Sequence, residues 1–73
     1  MDLQLVAGNV RRLRARRGWT QAKLAKIAEC SRKTIARVEL GTAPNLTADI
    51  LFAIADALHV GVDRLRDPSG WDD

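Results

Sequence analysis

Little in this sequence could crosslink the chain, hold a metal ion or enter a membrane. Cys30 is the only cysteine among 73 residues, so no disulfide can form within the chain, which suits a reducing compartment. With His59 as the only histidine, one chain cannot assemble a metal-ligating cluster, and neither a catalytic site nor a cofactor is expected. No apolar run reaches the ~18 residues of a membrane span, and the N-terminus lacks the pattern of a signal peptide. We expect a cytoplasmic protein that is not an enzyme and has neither a membrane partner nor a small-molecule ligand.

Length and charge narrow the class further. At 73 residues the chain forms one domain with a thin core. Residues 1–40 hold ten bases and three acids, a net charge of +7, whereas residues 41–73 hold two bases and six acids, a net charge of −4. A basic half indicates a polyanion partner such as nucleic acid. The charge count alone leaves open a solvated surface whose charge is unevenly distributed.

Apolar residues recur at helical spacing between glycine and proline breaks, and no stretch alternates as a strand would. The pattern predicts an all-α fold of five helices, over about residues 3–17, 21–28, 32–40, 48–58 and 62–66. The residues predicted to cap the first four helices are Asp2, Thr20, Ser31 and Thr47. We expect one domain over residues 1–66 and a short, mobile tail over residues 67–73.

The second and third predicted helices are joined by only three residues, Glu29-Cys30-Ser31. This spacing indicates a helix-turn-helix, but it also occurs in plain helical bundles. The first turns of these two helices carry bases, Lys23 and Arg32-Lys33, whereas acids begin the other helices. Because a helix N-terminus is partially positive, each such base costs on the order of a few tenths of a kcal/mol, while a phosphate binds there well. The alternative is that these charges are exposed and weakly constrained, so that the bases in the first turns of the second and third helices have no function.

Several motifs occur in register along most of the chain. They are the string Gly-x-Thr-Gln-x-x-Leu-Ala, the Ser-Arg-x-Thr-Ile turn and the Glu-x-Gly stop, within the segments NVRRLRARRGWTQAKLA, CSRKTIARVELG, APNLTADILFAIADALHV and VDRL. On these segments, the sequence from Asn9 to Leu65 resembles the helix-turn-helix domain of Cro and lambda-type repressors, the xenobiotic-response-element-like family. The resemblance implies a compact five-helix, lambda-repressor-like DNA-binding domain that regulates transcription, usually as a dimer.

The resemblance also implies roles for individual residues. Arg32, Lys33 and Arg37 match the positions of the third helix that face base edges. Gln21 matches a glutamine that touches a backbone phosphate and the recognition helix. The residues expected to contact the DNA backbone or to position the domain are Arg11, Thr20, Gln21, Lys23, Ser31, Thr34 and Thr42.

One ion pair is expected inside the domain, between Arg14 and Glu39. The resemblance implies it, and the positions favour it independently, because each residue lies four after a core residue, Val10 or Ile35. A charge that faces inward needs a partner. Two solvated side chains are the alternative.

The sequence departs from the family pattern at three places. Glu29 stands in the turn where glycine is common, at an expected cost of about 1 kcal/mol for a left-handed backbone. His59 replaces another common glycine, at the end of the fourth helix. The loop over residues 42–45 has no base, whereas relatives often place phosphate-binding lysines or arginines there.

The function predicted from these observations is that of a sequence-specific regulator, a repressor or controller, which binds a pseudo-palindromic double-stranded operator as a homodimer. The third helix would enter the major groove. The residues expected at the dimer interface are Val62, Leu65, Arg66, Phe52 and Trp71. The alternative is a protein-interaction module, such as the antitoxin of a toxin–antitoxin pair.

Overall fold

Five α-helices make up the described part of the chain. The computed structural model describes residues 2–43 and 46–69, and these residues contain no strand. The helices are α1 (Leu3–Arg16), α2 (Gln21–Ala28), α3 (Arg32–Leu40), α4 (Ala48–Ala57) and α5 (Val62–Leu65). The all-α fold of five helices is confirmed, and each predicted helix end lies within one residue of the observed one.

The helices begin where a polar side chain caps them. The oxygen of Asp2 accepts hydrogen bonds from the amides of Gln4 and Leu5. The side chains of Thr20, Ser31 and Thr47 each accept one from the amide three residues later. These contacts satisfy N–H groups that have no partner within the helix. The local sequence thus determines where the first four helices start.

The first four helices also end alike, with one residue in the left-handed conformation. Glycine occupies this position after α1 and α3, whereas Glu29 follows α2 with φ 58° and His59 follows α4 with φ 59°. Around Glu29, its own amide donates to Lys26 O at 3.3 Å and the Cys30 amide donates to Ala25 O at 3.0 Å. This is the Schellman pattern that stops a helix. The two departures from glycine therefore lie at positions whose backbone strains an L-residue.

The core lies between the helices, and each element contributes to it. α1 packs against α3 and α5, α2 packs against α3 and α4, and α4 packs against α5. The largest apolar side chains that are fully buried are Leu13, Leu24, Ile35, Ile54, Leu58 and Leu65. Trp19 and Cys30 are partly buried against this core. None of the helices in residues 2–43 and 46–69 is long and apolar enough to cross a membrane.

Asn9 is a polar residue inside this core. Its side chain is fully buried, and Nδ2 donates to the carbonyl oxygens of Leu65 at 2.9 Å and Asp67 at 2.7 Å. The tail was predicted to begin at Asp67. The hydrogen bond from Asn9 binds this residue to α1. The segment after α5 is thereby tied to the first helix.

Leu65 corrects part of the predicted dimer interface. Its side chain is 0% exposed and belongs to the core of its own chain. It has no surface to offer a second subunit, because α5 is packed against α1 and α4 through this residue. Of the other interface candidates, Phe52 and Arg66 are exposed, Val62 is half-buried, and Trp71 lies outside the described residues.

Candidate nucleic-acid interface

α3 has one buried face and one basic, exposed face. Ile35 and Val38 are buried in the core. The side chains on the outside include all three predicted base-reading residues, Arg32, Lys33 and Arg37. Lys33 and Arg37 are four residues apart and therefore share one side of the helix. The two faces together give a fixed helix that presents a row of cations to the solvent.

The N-termini of α2 and α3 carry the remaining groups suited to an anion. Neither helix has an acid in its first turn. Thr20 and Ser31 are exposed and cap these two ends, and Ser31 Oγ lies 2.9 Å from the hydroxyl of Thr34. Lys23 adds an exposed ammonium to the first turn of α2. Partial positive charge, hydroxyl groups and a cation thus coincide at the two helix starts.

The turn between α2 and α3 is short and fixed on the core side. Cys30 is half-buried, and its burial raises the pKa of the thiol. Its amide is bound to the end of α2, and the following residue, Ser31, already caps α3. The angle between the two helices is therefore set by local bonds and packing together.

A polar network joins α1, α2 and α3 beneath the exposed face. Arg14 donates to the Glu39 carboxylate twice, from Nε at 2.6 Å and from Nη2 at 2.9 Å. Gln21 Nε2 donates to the same carboxylate at 3.2 Å. Glu39 is 3% exposed, and its hydrogen bond raises the pKa of Arg14 above the ordinary value. The expected ion pair is present, and Gln21 contacts α3 as the resemblance implies.

The two remaining predicted contacts, Thr42 and Arg11, lie near the C-terminal end of α3. Thr42 is exposed just after the helix, and it lines a cleft of about 480 Å³ together with Thr34 and Arg37. Arg11 is exposed, but its Nη1 donates to the backbone carbonyl of Glu39 at 2.9 Å. Arg11 is thus engaged with the protein at a distance from the N-terminal end of α3. Nothing in the sequence pattern singled out this bond, because it joins residues 28 positions apart.

Two further side chains with a structural task were not expected from the sequence. Asn9 holds the segment after α5, and Gln4 Nε2 donates to Leu40 O at 3.3 Å, at the end of α3. Gln4 and Arg11 lie ten and three residues before Arg14 on the same helix, but the sequence indicated no partner within the protein for either of them. Among the described residues, no group of three or more histidine, cysteine or acidic side chains could hold a metal ion.

A comparison with family models agrees with the helical fold. The family model described as a helix-turn-helix domain matches residues 6–67, which include most of α1 and all of α2–α5. A comparison with curated proteins gives no match. The chain belongs to the helix-turn-helix domain family. Membership indicates a DNA-binding domain with a role in transcription regulation, in a family that is typically non-enzymatic.

Proposed function

We propose that this protein is a sequence-specific regulator of transcription of the Cro and lambda-repressor type, a repressor or controller, which inserts α3 into the major groove of double-stranded DNA. The observation that carries the proposal is the exposed row of Arg32, Lys33 and Arg37 on a helix whose opposite face is buried. A helix with side chains fits the width of the major groove, where base edges carry a unique pattern of donors and acceptors.

The chemistry of the row favours particular bases. Arginine and lysine donate to O6 and N7 of guanine, and an arginine can do so with two parallel hydrogen bonds. Arg32 and Lys33 lie in the first turn of α3, and Arg37 lies one turn further on the side shared with Lys33. We therefore expect half-sites that contain guanine.

The contacts to the DNA backbone come from the helix starts and from the edge of α3. Lys23 supplies charge, while hydroxyl and amide groups can bond to phosphate oxygens. The proposed backbone residues are Thr20, Gln21, Lys23, Ser31, Thr34 and Thr42. Arg11 is proposed separately, as a side chain that binds the end of α3 through the bond from its Nη1 to the carbonyl of Glu39.

A homodimer supplies the second recognition helix. One helix covers about half a turn of DNA, whereas a two-fold dimer reaches two successive major grooves ~34 Å apart and reads a pseudo-palindrome. Arg66 and the half-buried Val62 of α5 remain available at the surface, and Phe52 on α4 is 56% exposed. The acids of α4 and α5 favour this half as the side turned away from phosphates.

The exposure of Phe52 also supports the second candidate, a protein-interaction module such as an antitoxin. A large apolar side chain left in water is a common component of an interface. The homodimer is the proposal, because DNA reading by this domain benefits directly from a second copy. Binding of a different protein to the surface around Phe52 would support the second candidate.

Selection of bound sequences from random duplex DNA tests the proposal. The expected result is an enriched site with two guanine-containing half-sites related by dyad symmetry. Sedimentation at micromolar protein, with and without that duplex, tests the dimer, and Phe52→Lys is expected to weaken it. Failure to enrich any sequence would contradict the reading function. A monomer bound once per duplex, at a site without dyad symmetry, would contradict the dimer. Recovery of a different chain with the protein from its own host would favour the second candidate.

A further inference from the structure

The last turn of α3 has four carbonyl groups without partners inside the helix, as every α-helix does. Two of them are bound by the following backbone, since Thr42 N–H donates to Arg37 O at 3.0 Å and Gly41 N–H to Val38 O at 3.1 Å. The other two, on Glu39 and Leu40, accept hydrogen bonds from side chains of α1. No carbonyl of this helix end is therefore left to the solvent alone.

The side chains that bind the end of α3 lie on one face of α1. Gln4 donates to Leu40 O at 3.3 Å, Arg11 donates to Glu39 O at 2.9 Å, and Arg14 holds the Glu39 carboxylate. Their spacing of seven and three residues places them above one another along the helix. The two guanidinium groups also meet the negative end of the α3 dipole. Three side chains of one helix thus bind a single turn of another.

Gly41 shows how closely α1 approaches this turn. Its φ of 74° is left-handed, and a Cβ at this position would collide with the side-chain amide of Gln4. The amide occupies the space that a larger residue would need. The bond from Gln4 to this turn therefore uses space that glycine leaves open, and the left-handed backbone favours glycine at position 41 as well.

We infer that Gln4 and Arg11 are positioning residues, which bind the C-terminal turn of α3 to α1 and thereby set the direction in which its N-terminal half enters the groove. This inference rests on the proposed DNA-reading function. α3 has nine residues and is about 13 Å long, so a tilt of about 10° around its last turn moves its first residue by about 2 Å. Bidentate contacts to bases tolerate a displacement of only ~0.5 Å. A flexible lysine, in contrast, can stay bound to a phosphate when its helix moves by about 2 Å.

The inference separates two kinds of DNA binding. A tilt of α3 weakens the reading of bases and leaves attraction to phosphates almost unchanged. Loss of a phosphate ligand weakens binding to every duplex and lowers the salt dependence by about 0.9 in the logarithmic slope. Gln4 is neutral and releases no counterion, so a contribution of Gln4 to operator affinity is explained by position and not by charge.

The experiment compares the variants Gln4→Met and Arg11→Met. Methionine keeps an unbranched side chain but lacks the N–H donors that bind the end of α3. Affinities are measured over a range of salt concentrations, for the selected operator and for a random duplex. We expect each variant to lose about tenfold on the operator and less than twofold on the random duplex, with an unchanged salt slope. Lys23→Met is the matched control, in which both affinities and the slope fall together.

A measurement without DNA keeps the inference independent of the operator. Residual dipolar couplings of backbone amides in the free variants give the direction of α3 relative to α1, and we expect it to change in both. An unchanged direction in both variants overturns the inference, as does an Arg11→Met variant that behaves like Lys23→Met. Gln4 is exposed, so Gln4→Met decides the matter should Arg11→Met fail to fold. If the wild type selects no duplex, the proposed function fails, while the couplings still test the positioning.

Discussion

Arg14 on α1 and Glu39 on α3 face each other through two hydrogen bonds, at 2.6 and 2.9 Å, and the carboxylate is almost completely buried. The same carboxylate accepts a third hydrogen bond from Gln21 of α2. One acidic side chain therefore connects the three helices that form the basic half of the protein. The net contribution of such a pair to stability is smaller than its short distances suggest, because desolvation offsets much of the attraction.

Removal of Glu39 alone should destabilise the protein. We expect Glu39→Ala to lower the free energy of unfolding by about 3 kcal/mol, because Arg14 would remain in a mostly buried place without its carboxylate. The double variant Arg14→Met/Glu39→Leu should recover much of the loss. Urea denaturation of the three proteins measures both effects. Equal midpoints for Glu39→Ala and wild type would contradict a structural role of the pair.

The recognition of DNA bases by α3 should depend more on Arg37 than on an exposed basic side chain of another helix. We expect Arg37→Ala to cost about 1–3 kcal/mol on the selected operator and to relax the choice of one base. Lys26→Ala, on the last turn of α2, is the matched control and should leave the base preference unchanged. Competition with random duplex distinguishes the cases. Equal losses on operator and random DNA would assign Arg37 to a phosphate.

The left-handed residue after α2 should limit stability. We expect Glu29→Gly to raise the free energy of unfolding by about 1 kcal/mol, since glycine adopts positive φ without the clash of a Cβ. For a domain of this size such a gain corresponds to a rise of roughly 4–8 °C in Tm. Glu29→Ala removes the charge and keeps the Cβ, so it should bring no comparable gain. Thermal unfolding of both variants gives the answer, and a similar rise in both would identify the charge as the cause.

The thiol of Cys30 should be slow to react. Burial raises its pKa, so a smaller fraction is thiolate at a given pH than for a free cysteine. We expect alkylation by iodoacetamide at neutral pH to be several-fold slower than for a small thiol, and to accelerate as the pH rises towards the shifted pKa. The protein unfolded in urea should react at the ordinary rate. Equal rates for folded and unfolded protein would contradict the burial of Cys30.

Local signals explain what the sequence predicted well. The N-caps Thr20, Ser31 and Thr47 depend on residues within one turn, so the starts of α2, α3 and α4 followed from the sequence. The left-handed position of Glu29 was implied only by the resemblance, since glutamate itself does not favour it. The exposed basic face of α3 likewise follows from helical spacing once Ile35 is placed in the core.

Contacts between distant parts of the chain were beyond such signals. The bonds of Arg11 to Glu39 O and of Asn9 to Asp67 O join a side chain to a backbone carbonyl, which carries no mark in the sequence. Leu65 shows a second limit. An apolar residue on a helix of four residues fits a core or a partner equally well by spacing, and only the packing of α5 against α1 and α4 assigned it to the core.

The tie between Asn9 and Asp67 has a consequence for protein engineering. It brings the segment after α5 against α1 at a point only seven residues, or about 10 Å of helix, from Asp2. A linker of several residues from Ser69 to Asp2, in place of residues 70–73 and Met1, would therefore close the chain into a ring. New ends opened after Thr42, between α3 and α4, would yield a circular permutant in which the acidic helices precede the basic ones.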